Sequence, residues 1–118
     1  MTVQPNREMD QELAASCLEA LASPHRLGIF RLLVQCGPGG LPVGKIQEAL
    51  DIPGSTLSHH LSKLVRQGLV HRTRESRSLI CCCNYEIMNE LLTYLTENCC
   101  EGACAVANNR TGSKGMAS

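Results

Sequence analysis

Ser55-Thr56-Leu57-Ser58-His59-His60-Leu61-Ser62-Lys63-Leu64-Val65-Arg66-Gln67-Gly68-Leu69-Val70 reads as a helix with its own punctuation, followed by the start of a strand. Leu57, Leu61, Leu64 and Val65 recur at helical spacing and form one apolar stripe. Ser55 stands where a helix cap is expected, and Gly68 stands where a helix is usually terminated. Upstream, Asp51-Ile52-Pro53-Gly54 is turn chemistry, and a short helix after Pro42 carries Val43, Ile46, Ala49 and Leu50 toward an interior. Downstream, Leu69 to Arg74 and Arg77 to Cys83 are rich in Val, Ile, Leu, Thr and Cys, and read as a hairpin joined through Glu75-Ser76. Two short helices, a tight turn and a hairpin make a winged helix-turn-helix.

The flanks add three more helices. Leu13, Cys17, Leu18 and Leu21 define a first helix from about Asp10 to Leu21. Ser23-Pro24 starts a second, with Ser as cap and Pro in the first turn, and Leu27, Phe30, Leu33 and Val34 on one side. Gly37-Pro38-Gly39-Gly40 stops it. A fifth helix, from about Tyr85 to Asn98, carries Ile87, Met88, Leu91, Leu92 and Leu95. So wide an apolar face suits a dimer interface better than the core of one small domain. The expected fold is therefore mainly α with a small β-hairpin wing. The domain runs over 9–104, with polar tails at 1–8 and 105–118.

Composition supports a small intracellular binding protein. The chain has 118 residues, one Phe, two Tyr and no Trp, so its core must be built from Leu, Ile, Val and Ala. Its apolar runs fall far short of the ~20 residues needed to cross a bilayer, and residues 1–10 lack the apolar segment of a secretory signal. A cytoplasmic location, with no membrane partner, is the expectation. The net charge of zero hides an asymmetry. Lys63, Arg66, Arg72, Arg74 and Arg77 crowd the middle, and only acidic charges follow from Glu86 to Glu101. A basic reading head beside an acidic helix fits a DNA-binding protein with a separate second function.

The candidate DNA-binding residues follow from that head. Ser55, Thr56, Ser58 and His59 occupy the first turns of the fourth helix, where small polar side chains and free backbone amides approach bases and phosphates. Lys63 lies one turn further on. Arg72, Arg74 and Arg77 flank the hairpin tip, where cations reach the phosphate backbone or the minor groove. Nothing here pairs an acid with a base for catalysis, so an enzyme is not expected.

Leu21-Ala22-Ser23-Pro24-His25-Arg26-Leu27, Ser55-Thr56-Leu57-Ser58-His59-His60-Leu61 and Gly68-Leu69-Val70 resemble the ArsR/SmtB family of metal-responsive repressors over about residues 10–100. The resemblance implies a homodimer built from the first and last helices. It also implies double-stranded operator DNA bound by the fourth helix and wing, and release of that DNA by a soft metal or metalloid. Asn98-Cys99-Cys100 followed by Cys104 is similar to the C-terminal site of a subset of the arsenic-responsive members.

Eight cysteines without a secretory signal point to metal or redox chemistry rather than a disulfide scaffold. Cys99 and Cys100 end the fifth helix, and Gly102-Ala103 lets the chain fold back to bring up Cys104. Three thiolates suit trivalent arsenic, which takes three sulfurs in a pyramid, and soft thiolates select thiophilic centres. A structural zinc site prefers four ligands, and all four histidines lie upstream. The expected inducer is As(III), with Sb(III) or methylarsenite as alternatives, and no cofactor is expected for DNA binding itself. Cys81 and Cys83 share one strand face and Cys82 the other. They read either as packing or, through Cys83, as a partner for Cys99 or Cys100 around a methylated arsenical. Cys17 and Cys36 read as structural. A thiol redox sensor is the remaining alternative.

Overall fold

The computed structural model describes residues 8–100, so Cys104 and the expected tail at 105–118 lie outside the described residues. Asp10 caps α1 (Gln11–Leu21), its Oδ1 accepting from the Leu13 amide at 2.8 Å. Ser23 caps α2 (Pro24–Cys36), accepting from the Arg26 amide at 3.4 Å, with Pro24 in the first turn as expected. Gly37, at φ 92, ends α2.

Pro42 and Pro53 precede α3 (Val43–Leu50) and α4 (Gly54–Gln67), each in extended backbone and neither helix with a side-chain cap. Ser55 is therefore inside the first turn of α4 rather than its cap. Pro53 supplies the turn into the helix, and Gly54 is already helical. Asp51 leaves α3 in the left-handed region at φ 53, a conformation that Asp tolerates better than most residues. Gly68, at φ 90, ends α4, its amide donating to the carbonyls of Leu64 and Val65.

The wing is the antiparallel pair β2 (Val70–Glu75) and β3 (Ser78–Cys83), with Val70 opposite Cys83 and Glu75 opposite Ser78. The turn falls on Ser76-Arg77, one residue later than expected, with Ser76 at φ 56. A two-residue strand, β1 (Leu41–Pro42), completes the sheet in the order β1-β3-β2. Asn84 then caps α5 (Tyr85–Thr96), accepting from the Ile87 amide at 3.3 Å. α5 stops two residues short of the expected Asn98.

The core takes Leu13, Cys17, Ile29, Leu33, Ile46, Leu57, Leu61, Leu64, Leu69 and Val70 from the elements that the periodicity marked. Cys81 and Cys83 join it. Two expected core positions point outward instead. Ala49 is exposed, and Leu27 is 44% exposed. On α1 and α5, Leu18, Leu92 and Leu95 are also exposed, Leu92 and Leu95 by about half. Among the described residues no helix is long and apolar enough to cross a membrane.

Candidate nucleic-acid interface and C-terminal thiol pair

α4 divides into two sides because its leucines recur at helical spacing. Leu57, Leu61 and Leu64 are buried, and Ser55, Ser58, His59 and Arg66 are exposed on the rest of the surface. Thr56 and Lys63 are half-buried at the border. Lys63 is not free: its Nζ lies 3.4 Å from Glu19 Oε2 of α1. So exposed a pair contributes little stability, but it turns the ammonium toward α1.

Sequence reading passed over His60. Its Nδ1 lies 3.3 Å from Arg26 Nη1, and its ring meets His25 edge-on at 5.3 Å and His59 at 5.5 Å. Arg26 Nε donates to the Ala20 carbonyl at 2.6 Å, which fixes the guanidinium between α1 and α4. A guanidinium has no acceptor, so His60 Nδ1 must accept, and the ring is held neutral. Burial is the main cause holding the imidazole below its ordinary value, joined by His25, Arg26 and His59. The Ser23-Pro24-His25-Arg26 junction therefore braces α4 from behind. The one available signal was spacing: His60 lies three residues after Leu57 and so on the inward edge.

Arg72 and Arg74 extend along β2, exposed, on the same sheet face as Val70. Val70 is buried and the arginines lie beyond the core, so the strand begins as packing and ends as a cationic finger. Arg77 sits in the turn itself. Arg77 and Lys45 both line an open groove of about 390 Å³ between α3 and β3. Lys45 was also missed, because it precedes the basic cluster in sequence.

The β3 cysteines alternate as a strand requires. Cys81 and Cys83 are buried, and Cys82 is half-buried with its Sγ donating to the Pro38 carbonyl at 3.1 Å. Burial pushes the Cys83 thiol up to about 11. Burial raises Cys81 too, partly offset by the charge of Arg72.

The tail pair is built differently. Past α5 the Cys99 amide donates to the Thr96 carbonyl at 2.9 Å, and Asn98 and Cys100 take left-handed φ values of 61 and 63. That turn brings Cys99 Sγ to 3.1 Å from Cys100 Sγ, with both residues exposed. The hydrogen bond to Cys100 is the main cause raising the Cys99 thiol. No disulfide joins the described cysteines, and no group of three His, Cys, Asp or Glu is arranged to hold a metal among the described residues. Cys99 and Cys100 are thus brought together, and Cys83 lies inside the core.

α5 is joined to α4 at its other end. Asn84 Nδ2 donates to the Gly68 carbonyl at 2.8 Å, and the Asn84 amide donates to Leu69 at 2.9 Å. One side chain therefore both caps α5 and holds the terminus of α4.

Residues 21–73, from the end of α1 into β2, match a family described as a helix-turn-helix domain. The HTH-type transcriptional regulator NmtR of Mycobacterium tuberculosis is 40% identical over 80 residues, covering 65% of this chain and 64% of NmtR. The chain thus spans just under two thirds of that relative's length. The structure of HlyU from Vibrio cholerae N16961 superposes with a TM-score of 0.59 at 32% identity, over 74% of this chain and 97% of HlyU. An ArsR-like transcriptional regulator from Rhodococcus sp. RHA1 shares the fold, with a TM-score of 0.68 at 20% identity, over 82% of this chain and 89% of that one. With its two-faced α4, its basic wing and this likeness to HlyU over nearly the whole of that protein, the chain belongs to the helix-turn-helix transcriptional regulators, which are DNA-binding proteins and not enzymes.

Proposed function

We propose that this protein is a repressor that binds operator DNA as a homodimer and releases it when trivalent arsenic bridges Cys99 and Cys100, with Cys104 as the third sulfur. The contact of 3.1 Å between two exposed sulfurs carries this reading. A single thiophilic centre takes both thiolates with little rearrangement. DNA reading falls to Ser55, Thr56, Ser58 and His59 on α4 and to Arg72, Arg74 and Arg77 on the wing. Lys63 reaches a phosphate by exchanging Glu19 for it.

Exposed Leu18 on α1 and exposed Leu92 and Leu95 on α5 support a dimer through these two helices, because exposed large apolar side chains favour association. A two-fold dimer sets its two recognition helices about 34 Å apart, one turn of the duplex. Arsenic drawing the tail thiolates together reshapes the end of α5, and the Asn84 joint passes that change to α4. A coupling of about 1–3 kcal/mol is typical of such linkage and weakens operator binding about 5–150-fold. The methylarsenite alternative asks more of the fold, because Cys83 is buried and must leave the core to meet a tail thiol.

The test is a titration of arsenite, antimonite, methylarsenite, zinc and cadmium into a complex with operator DNA from the protein's own promoter, followed by fluorescence anisotropy. Arsenite should release DNA from the parent and not from Cys99→Ser. Undiminished affinity in arsenite ends the reading. Release by peroxide but not by arsenite in reducing buffer transfers the role to thiol oxidation.

A further inference from the structure

Cys36 reads as structural in the sequence, but it is exposed at the last residue of α2, and the loop after it returns to the wing. Gly40, at φ 72, lies so close to β3 that a Cβ there would collide with the Cys81 carbonyl oxygen. Leu41 then pairs with Cys81. The same loop places the Pro38 carbonyl 3.1 Å from Cys82 Sγ, two residues beyond Cys36. Tyr85 completes the junction, its hydroxyl donating to the Val34 carbonyl at 3.1 Å and the Leu33 carbonyl at 3.3 Å on the last turn of α2. That phenol is raised first by burial, then by Cys83 and Cys82, with a smaller part from Cys36, while the Gly37 backbone opposes the shift. Cys36 therefore lies two residues before the carbonyl that Cys82 meets, beside a half-buried Tyr85, with Cys36 exposed and Cys82 half-buried on the strand face opposite Cys81 and Cys83.

We propose that Cys36 and Cys82 form a second dithiol site, at the α2–β3 junction, which hydrogen peroxide oxidises to a disulfide independently of Cys99 and Cys100. The Cys36 thiolate attacks a peroxide oxygen, breaks the O–O bond and becomes a sulfenic acid, with hydroxide leaving as water. Cys82 sulfur then attacks that sulfenic sulfur. The S–O bond breaks, a second water leaves and the S–S bond forms. Two thiols are oxidised by two electrons and one peroxide is reduced to two waters. Exposure assigns the first step to Cys36, and the half-buried Cys82 resolves it. Cys81 and Cys83 are excluded by burial on the other face. The bond fastens the end of α2 to the central strand of the sheet that carries the wing.

The experiment uses the full chain with Cys99→Ser, Cys100→Ser and Cys104→Ser, treated with one equivalent of hydrogen peroxide and mapped by non-reducing peptide mass spectrometry. The expected product is monomeric on a non-reducing gel, lighter by two hydrogens, with the Cys36 peptide joined to the peptide holding Cys81–Cys83. Adding Cys82→Ser should remove the link and leave a Cys36 sulfenic acid that dimedone captures. Cys99 and Cys100 are exposed and Cys82 is half-buried, and circular dichroism checks that each variant keeps its fold. Recovery of Cys36 unlinked from the peroxide-treated protein, a link between two chains, or a link that survives Cys82→Ser overturns the proposal. Arsenite response plays no part in the readout, so failure here leaves the tail site standing.

Discussion

Cysteines adjoin one another twice in this chain, on β3 and at the end of α5, and the two runs have opposite chemistry. On β3 the strand pleat sends Cys81 and Cys83 into the core and Cys82 to the other face, so neighbours in sequence are separated in space. After α5 a left-handed turn does the reverse and brings Cys99 and Cys100 into contact at 3.1 Å on the surface. Burial pushes the Cys83 thiol up to about 11, whereas the main influence on Cys99 is the neighbouring thiol. The backbone under a thiol decides whether it packs in the core or meets a neighbouring thiol at the surface.

The contrast breaks most easily at the tail. Replacing Cys99 and Cys100 together with Ser should abolish an arsenite response expected at about 5–150-fold in operator affinity. The urea unfolding free energy should move by less than about 0.5 kcal/mol, as for other surface changes. Release that survives the double change removes the distinction. Cys83→Ser should give the converse: arsenite release kept, and unfolding free energy down by about 1–3 kcal/mol for a hydroxyl buried without a partner. A Cys83→Ser protein as stable as the parent would mean that the strand run is not core. Alkylation sharpens the comparison further. At about pH 8 a thiol titrating near 11 is ionised only roughly one part in a thousand, so iodoacetamide should label Cys99 and Cys100 well before Cys83. Equal rates by mass spectrometry would contradict the buried placement.

The smallest expected effect lies outside both runs. His60 is held below its ordinary value of 6.5, so the folded protein binds that proton less readily than the unfolded chain. Its contribution to stability is present above about pH 6.5 and is lost as pH falls through the lower folded value. The urea midpoint should decline between about pH 7 and pH 5.5, and His60→Gln should flatten that decline. An identical decline in the variant would assign acid sensitivity to other groups.

The sequence made the helices legible because their signals are local. Asp10, Ser23-Pro24, Gly37 and Gly68 punctuate the chain where the elements begin and end, and the stripe of Leu57, Leu61 and Leu64 is buried as its spacing requires. What sequence reading missed depends on partners far along the chain. β1 is two residues long, and its strand character comes from pairing with Cys81 and Ile80. Arg26 meets His60 across the α2–α4 packing, and Cys82 meets Pro38 across the α2–β3 junction. Ser55 loses its expected cap role to the extended backbone at Pro53. Cys99 and Cys100 were visible as a pair, but their contact depends on a turn that no residue spacing encodes.

The carboxamide of Asn84 leaves little slack between α5 and α4, because it grips the carbonyl of Gly68 at 2.8 Å. α4 has 14 residues, so at about 1.5 Å per residue it is a lever roughly 21 Å long, pivoting at that grip. A tilt of about 10° at the pivot swings the far end by roughly 3.5 Å, more than a hydrogen bond's length. A small twist in one short peptide link is therefore enough to displace Ser55, at the far end of α4, by more than one contact distance.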